Sequence, residues 1–339
     1  MDLKQLSASL GLSPTTVSRA LNGYPEVSER TRERVIEAAK EVGYEPNVTA
    51  RRLARGAVDA IGIVHPTGAG HLDDPRFLEV VDGLTERFSK AGIDLLIASA
   101  RQKEEVATYK RLLQGRRVDG FIVHHTRRVD PRLDYLQECG APFVAYGRTD
   151  TPDSYAWFDF DNALGSSLAV RRLQEFGHRR IAYMHAPLEL HFAYQRYQGY
   201  LDAMHAAGLP VDPGLVVPAG FGRRGGYEAM KTLLDRAEGP TAVIVDNNLC
   251  GVGVLRCALD AGLKIGRQLS LIVYDGVPVD SVVTSVQVTS IEQPTSYAVG
   301  VQLAELMIGV LAGQPVQELQ TLWSPRIAAG SSDGPISEH

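Results

Sequence analysis

Near the start of the chain, Ser13, Thr15, Thr16, Ser18, Arg19 and Asn22 are wrapped around two apolar residues, Val17 and Leu21. Hydroxyls, an amide and a guanidinium on one short helix suit the base edges of a DNA major groove, where an arginine fork matches guanine. Farther on, Asn247, Asp275, His65, His124, His125 and His185 follow or end short apolar runs. A carboxylate or carboxamide in such a place can bond ligand hydroxyls at the mouth of a parallel sheet. A solvated loop acid, a turn-forming Asn and solvated histidines are the ordinary alternatives. Gly220-Phe221-Gly222-Arg223-Arg224-Gly225 spells G-x-G-x-x-G, with Asp246 about 20 residues on, the outline of a dinucleotide fingerprint. Pro218, two arginines in the spacer and a place deep inside a domain argue against it and against a nicotinamide-dependent enzyme. No Ser/His/Asp set, carboxylate pair or metal-ligand spacing competes, so no catalytic residue, metal or cofactor is expected.

The elements that must position these residues divide into a head and a body. In the head, Leu3, Leu6 and Leu10 recur at helical spacing, Gly11 interrupts, and Ser13-Pro14 opens a second helix as N-cap and first helical residue. Ser28 is the N-cap of a third helix whose Val35, Ala38, Ala39 and Val42 form a stripe that can cover the first two. After Tyr44-Glu45-Pro46, Asn47 can cap a short segment ended by Gly56 that carries Ala50, Arg51, Arg52, Leu53 and Arg55. By composition that segment is a solvated linker helix.

From Ala60 the runs 61–64, 94–97, 120–123 and 142–145, then 181–184, 215–217, 241–245 and 270–273, alternate with helical patterns. One of these, Pro75 to Ala91, places Phe77, Val80, Val81, Leu84 and Phe88 on one face. Short unbroken apolar strands between helices mean parallel sheets covered on both faces, and eight in two sets predict two doubly wound subdomains with a cleft between them. The 339 residues, 44% hydrophobic and 22% charged, fit an ordinary globular chain of two or three domains. Residues 1–56 hold nine Lys/Arg against seven Asp/Glu while the whole chain stands at -5, so a slightly basic head sits on an acidic body. Three scattered cysteines, no apolar leader and no long apolar run predict a cytoplasmic protein without disulfides.

The head, LSASLGLSPTTVSRALNGYPEVSERTRERVIEAAKEVGYEPNVTARRLARG, resembles that of the lactose-repressor (LacI/GalR) family of bacterial transcription regulators. The carriers are S-x-x-T-V-S-R-x-L-N, V-S-x-x-T-R-x-R-V and G-Y-x-P-N-x-x-A-R-x-L, in that order. Through the body the resemblance continues in Arg196-Tyr197-Gln198-Gly199-Tyr200, Pro240-Thr241-Ala242, Asp246-Asn247-Asn248, Leu271 to Asp275 and Ile291-Glu292-Gln293-Pro294. It implies a helix-turn-helix head over 1–46, a hinge helix and linker over 47–59, and a periplasmic-binding-protein-like α/β body over 60–339. The body's N-subdomain would take about 60–160 plus 292–322, and its C-subdomain about 161–291 plus 323–332. The implied DNA contacts are Ser13, Pro14, Thr15, Thr16, Ser18, Arg19 and Asn22 in the major groove. Asn47, Ala50, Arg51, Leu53 and Arg55 follow from the hinge, with Leu53 as a minor-groove wedge.

The resemblance further implies a ligand site of Phe77, Arg148, Arg196, Phe221, Asn247, Asp275 and Gln293. Gly147-Arg148 departs from the family's usual Asp-Arg, which puts that contact in doubt. The expected activity is repression of a palindromic operator by a homodimer, relieved by a small uncharged carbohydrate. The chain's end at His339 leaves no room for a tetramerising heptad helix. His65-Pro66, Ala145 to Arg148 and Phe192 to Arg196 resemble regulators of α-glucoside use. A nucleobase, a phosphosugar or a corepressor remain alternative effectors.

Overall fold

The computed structural model describes residues 2–21, 24–44, 57–67, 75–278, 281–282 and 284–336. The chain forms two compact units, Met1–Asp59 and Ala60–His339. The first contains α1 (Leu3–Leu10), α2 (Pro14–Leu21) and α3 (Glu29–Glu41). Asp2 and Gln5 close a capping box on α1, and Gly11, at φ +65°, ends it in the left-handed conformation that glycine adopts without a Cβ penalty. Leu6, Val17, Ala20, Val27, Val35 and Ala39 make the small core. The expected stripe on α3 stops one turn early, because Val42 is the C-cap residue and is exposed.

The second unit runs β1 (Ala60–Pro66), α4 (Pro75–Lys90), β2 (Asp94–Ala100), α5 (Glu105–Gln114), β3 (Gly120–His124), α6 (Pro131–Glu138), β4 (Phe143–Tyr146) and β5 (Ala156–Phe160). It continues through α7 (Asn162–Glu175), β6 (Ile181–His185), α8 (His191–Ala206), β7 (Val216–Pro218), α9 (Arg223–Leu234), β8 (Ala242–Val245), α10 (Asn248–Asp260) and β9 (Ser270–Tyr274). The last elements are β10 (Thr289–Glu292), α11 (Ser296–Leu311), β11 (Gln320–Trp323) and β12 (Arg326–Ala328).

Two six-stranded sheets result, ordered β11-β5-β4-β3-β1-β2 and β12-β10-β9-β8-β6-β7. All pairings are parallel except β10 with β12. The eight expected strands are present within three residues of their apolar runs at either end. Four were not expected: β5, β10, β11 and β12. The chain passes between the sheets at β5–α7, at β10–α11 and at β11–β12, so each sheet is completed by a strand that comes late in sequence.

Helices cover both faces, and the crossing of α4 with α11 needs glycine. A Cβ on Gly83 of α4 would lie 2.2 Å from Tyr297 O, and one on Gly300 of α11 would lie 2.2 Å from Val80 O. Among the described residues no helix is long and apolar enough to cross a membrane.

Candidate functional site

Helix α2 presents its polar side chains because its apolar ones are used. Val17 and Ala20 are buried in the head core, which leaves Pro14, Thr15 and Arg19 exposed and Thr16 and Ser18 half-buried. Ser13 Oγ accepts from the Thr16 amide at 3.1 Å and lies 2.8 Å from Thr16 Oγ1, so both hydroxyls also serve the helix cap. Thr15 and Arg19, one turn apart, therefore carry the most accessible chemistry on one face. Asn22, Asn47, Ala50, Arg51, Leu53 and Arg55 lie outside the described residues.

The other site is a cavity of ≈180 Å³ at the carboxyl ends of both sheets. Topology puts it there: chain order reverses between β1 and β3 in one sheet and between β6 and β8 in the other, and strand ends at such a reversal border an open crevice. His65 on β1 and His124 on β3 stack with ring centres 4.9 Å apart, and the Phe77 ring is 4.4 Å from His65. His125 follows at φ +52°, its ring 5.6 Å from that of Phe221 on the opposite subdomain. The His124 and His125 carbonyls accept from the buried Arg132 guanidinium at 3.2 and 2.9 Å, which holds this wall in place. Solvated strand-end histidines are thus not what the structure contains, since Phe77 and the neighbouring histidine rings pack on them: His65 and His124 are 1% and 6% exposed. His185, also buried, bonds Ala186 O through Nδ1 and does not line the cavity.

Of the expected ligand residues, Phe77, Arg196, Phe221, Asn247, Asp275 and Gln293 line the cavity, and Arg148 does not. Arg148 Nε instead donates to Asp159 Oδ2 at 2.9 Å, so Asp159, at the end of β5, is the residue that meets the cavity. Burial raises the Asp159 carboxyl above the usual carboxylate range, against the pull of Arg148. The Arg196 fork is less available than expected. Its Nε donates to Asn162 Oδ1 at 2.8 Å, its Nη1 donates to the Asp246 carbonyl, and its guanidinium carbon lies 3.9 Å from the centre of the Tyr274 ring.

Asn247 behaves as a cap. Its Oδ1 accepts from the Cys250 amide, and its Nδ2 donates to Gly220 O and Asp246 Oδ1 at 3.0 and 2.9 Å, so both its protons are committed within the protein. Asp275 sits just beyond β9 at φ +62°, and Arg76 of α4 reaches across the cavity to within 3.2 Å of its Oδ1. That oxygen and Gln293 Nε2 are buried without a well-formed hydrogen bond among the described residues. Two cationic side chains, Arg76 and Arg196, face two acids, Asp159 and Asp275, so fixed charge is balanced.

Arg76, Asp159 and Asn162 escaped the sequence reading. Phe77 next to Arg76 was the only available signal for it, and Asp159 and Asn162 bracket the end of the unexpected strand β5. The glycine-rich loop follows β7, an edge strand away from the reversal, and α9 begins at Arg223, inside the motif. Gly225 serves packing, since a Cβ there would lie 2.0 Å from Ala219 O, and Asp246 Oδ2 accepts the Ala186 amide at 2.6 Å.

Residues 7–47 match the family described as bacterial regulatory proteins, lacI family, and residues 59–321 match the periplasmic binding proteins and sugar binding domain of LacI family. The chain is 38% identical over 335 residues to the HTH-type transcriptional regulator RafR of Escherichia coli, covering 98% of each chain. It is 37% identical over 341 residues to the HTH-type transcriptional regulator AglR of Rhizobium meliloti, covering 100% of this chain and 96% of that one. A solved complex of the transcriptional regulator CelR with cellobiose superposes with a TM-score of 0.74 at 30% identity, over 98% of this chain and 99% of the other. These matches cover both the three-helix head and the two-sheet body, and the chain belongs to the LacI family of bacterial transcription regulators, not to the enzymes.

Proposed function

We propose that this regulator represses an operator and is released from it when a small uncharged carbohydrate occupies the cavity. The observation that carries the reading is a buried donor, Gln293 Nε2, without a hydrogen-bond partner among the described residues, in one cavity with the Asp275 carboxylate, whose Oδ1 meets the Arg76 guanidinium at 3.2 Å without a well-formed hydrogen bond. Such groups are costly unless a ligand completes them, and hydroxyls both donate and accept. Balanced charge disfavours a phosphosugar, while Phe77, Phe221 and the histidine wall offer surface to the apolar face of a sugar ring. The relative solved with cellobiose supports the carbohydrate class. A melting-shift screen of α- and β-glucosides, nucleosides and sugar phosphates, followed by operator binding with each hit, tests this. A nucleoside hit without a sugar hit overturns the carbohydrate reading, and tighter operator binding with the hit makes the ligand a corepressor.

The DNA contacts belong to the same proposal, with Thr15 and Arg19 reading bases and Leu53 wedging the minor groove. Leu53→Ala is expected to weaken specific binding by about 1–3 kcal/mol and reduce DNA bending, leaving ligand binding intact. Arg19→Ala should instead relax base discrimination within the half-site. Gel-shift titration with a bending assay separates the two, and a Leu53→Ala protein that bends operator like wild type removes the hinge assignment.

One head reads one half-site, so a palindrome needs a twofold dimer. We infer a homodimer working on DNA in the cytoplasm. Light scattering at micromolar concentration should give two chains, and a mass of four chains would contradict it.

A further inference from the structure

One wall of the cavity is closed by backbone contacts between the subdomains. Beyond β3, Thr126 O accepts the His191 amide at 2.9 Å, the Arg128 amide donates to Glu189 O at 3.0 Å, and Arg127 and Leu190 form an antiparallel bridge. Thr126 and Phe192 line the cavity, so this seam is part of its boundary. Side chains reinforce the seam. Arg128 forks onto Asp150 at 3.2 and 3.0 Å and lies 3.9 Å from the centre of the Tyr194 ring, while Arg127 reaches Glu105 at 2.6 Å. His191 Nε2 lies 3.4 Å from Asp150 Oδ1, and its Nδ1 is buried with no hydrogen-bond partner.

A neutral imidazole fits this place, with its proton on Nε2 toward Asp150 and a bare Nδ1 inside. Asp150 and the Arg148 backbone favour a proton on the ring, but a second one would sit on Nδ1, which has no partner among the described residues, and would bring its charge beside Arg128 and Arg148. The charged groups around the ring are Asp150 and Arg148 from the segment after β4 and Arg128 from the segment after β3, with Glu189 and Tyr194 on its own segment.

We propose that the 126–128 and 189–191 segments form a proton-sensitive clasp, in which protonation of His191 opens the cavity wall and lowers effector affinity.

Burial pushes the His191 imidazole down from 6.5 to about 4, with Arg148 and Arg128 adding to the shift and Asp150 opposing it. A base with a lower pKa in the clasped form takes its proton first in the open form. The clasp is therefore at full strength above the open-state value near 6.5 and weakens as pH falls toward about 4. Between pH 7 and pH 5 the open-to-clasped ratio should rise about 20-fold through this one proton.

The effect on affinity rests on the cavity being the effector site, but the clasp is testable without any effector. Hydrogen exchange of the full-length protein, corrected for intrinsic rates, should show the Arg128 and His191 amides losing about 20-fold protection between pH 7 and pH 5. Peptides from the α4–α11 crossing should keep theirs. His191→Gln, which cannot titrate, should show no pH-dependent loss at the seam. An equal loss in His191→Gln, no loss in wild type, or a parallel loss at α4–α11 overturns the clasp. If the seam opens as stated but a melting-shift hit binds equally well at both pH values, the link from clasp to effector affinity is overturned, and a hit whose binding is unaffected by Asp275→Ala or Gln293→Ala places the fault in the cavity's assignment as the effector site.

Discussion

Arg132→Ala is expected to destabilise the body by about 3–5 kcal/mol. Arg132 is 1% exposed. It donates to Asp130 through Nε and Nη2 at 2.9 and 2.6 Å, and its Nη1 reaches Glu105 at 3.4 Å. Removing it leaves two buried carboxylates with Arg127 as their one cationic partner among the described residues, and an uncompensated buried charge costs far more than the intact pair gains. The same deletion frees the carbonyls of His124 and His125, so the wall that bears the left-handed His125 loses its anchor.

The network also has a defined pH window. Burial alone would raise the Asp130 carboxyl, but the hydrogen bonds and charge of Arg132, with the Arg127 and Arg132 amides, hold it below the ordinary carboxylate range. A depressed carboxylate contributes above its unfolded value, near 3.8, and the contribution is lost as pH falls below that. Urea unfolding at pH 7 should show the full loss in Arg132→Ala and a smaller one in Arg132→Lys, which keeps a charge but not the fork. A loss under about 1 kcal/mol for the alanine variant would mean the carboxylates find other partners.

What the sequence made legible follows from where each signal is stored. Strands such as β3 and β8 are interior and buried on both faces, so their burial is written locally as an apolar run. β10, β11 and β12 read Thr-Ser-Ile-Glu, Gln-Thr-Leu-Trp and Arg-Ile-Ala, too polar or too short to announce themselves. Two of them, β11 and β12, lie at sheet edges, and β11 pairs only with β5, far away in sequence. β5 was hidden for a related reason. Its Asp159 interrupts the apolar pattern, and that residue is polar because it meets the cavity.

The site was legible by the same logic. Asp275 and Asn247 end recognisable strands, whereas Asp159 and Asn162 belong to one that was not recognised. Gly147 departs from the family pattern right beside Arg148, the residue that the structure withdraws from the cavity. The partial commitment of Arg196 to Asn162 and Asp246 was out of reach, because both partners lie on other elements.

That commitment makes Arg196→Ala the variant with the largest functional effect: the response to effector should vanish while operator binding remains. Its guanidinium joins α8 to the first residue of α7 and to the end of β8, against the Tyr274 ring at the end of β9. Alanine there leaves the Asp246 carbonyl and Asn162 Oδ1 short of a donor and opens the cavity floor, so ligand affinity and its transmission fail together. The head keeps its own core of Leu6, Val17, Ala20, Val27, Val35 and Ala39 within a separate compact unit, so its fold does not depend on this residue.

In wild type an effector can release operator only through its differential affinity for two arrangements of the body. By reciprocity, operator must weaken effector binding by the same factor, about 5- to 150-fold for a typical coupling. Calorimetric titration of a screened sugar into free protein and into the operator complex measures that factor and its sign. Equal affinities in the two titrations would end the allosteric reading. Arg196→Ala should bind operator within about threefold of wild type and show no sugar heat in either state, which corresponds to less than about 0.7 kcal/mol of change at the DNA. If it loses operator binding as well, the body controls the head through Arg196 even without effector, and the conservative Arg196→Lys variant should then restore DNA binding without restoring the sugar response.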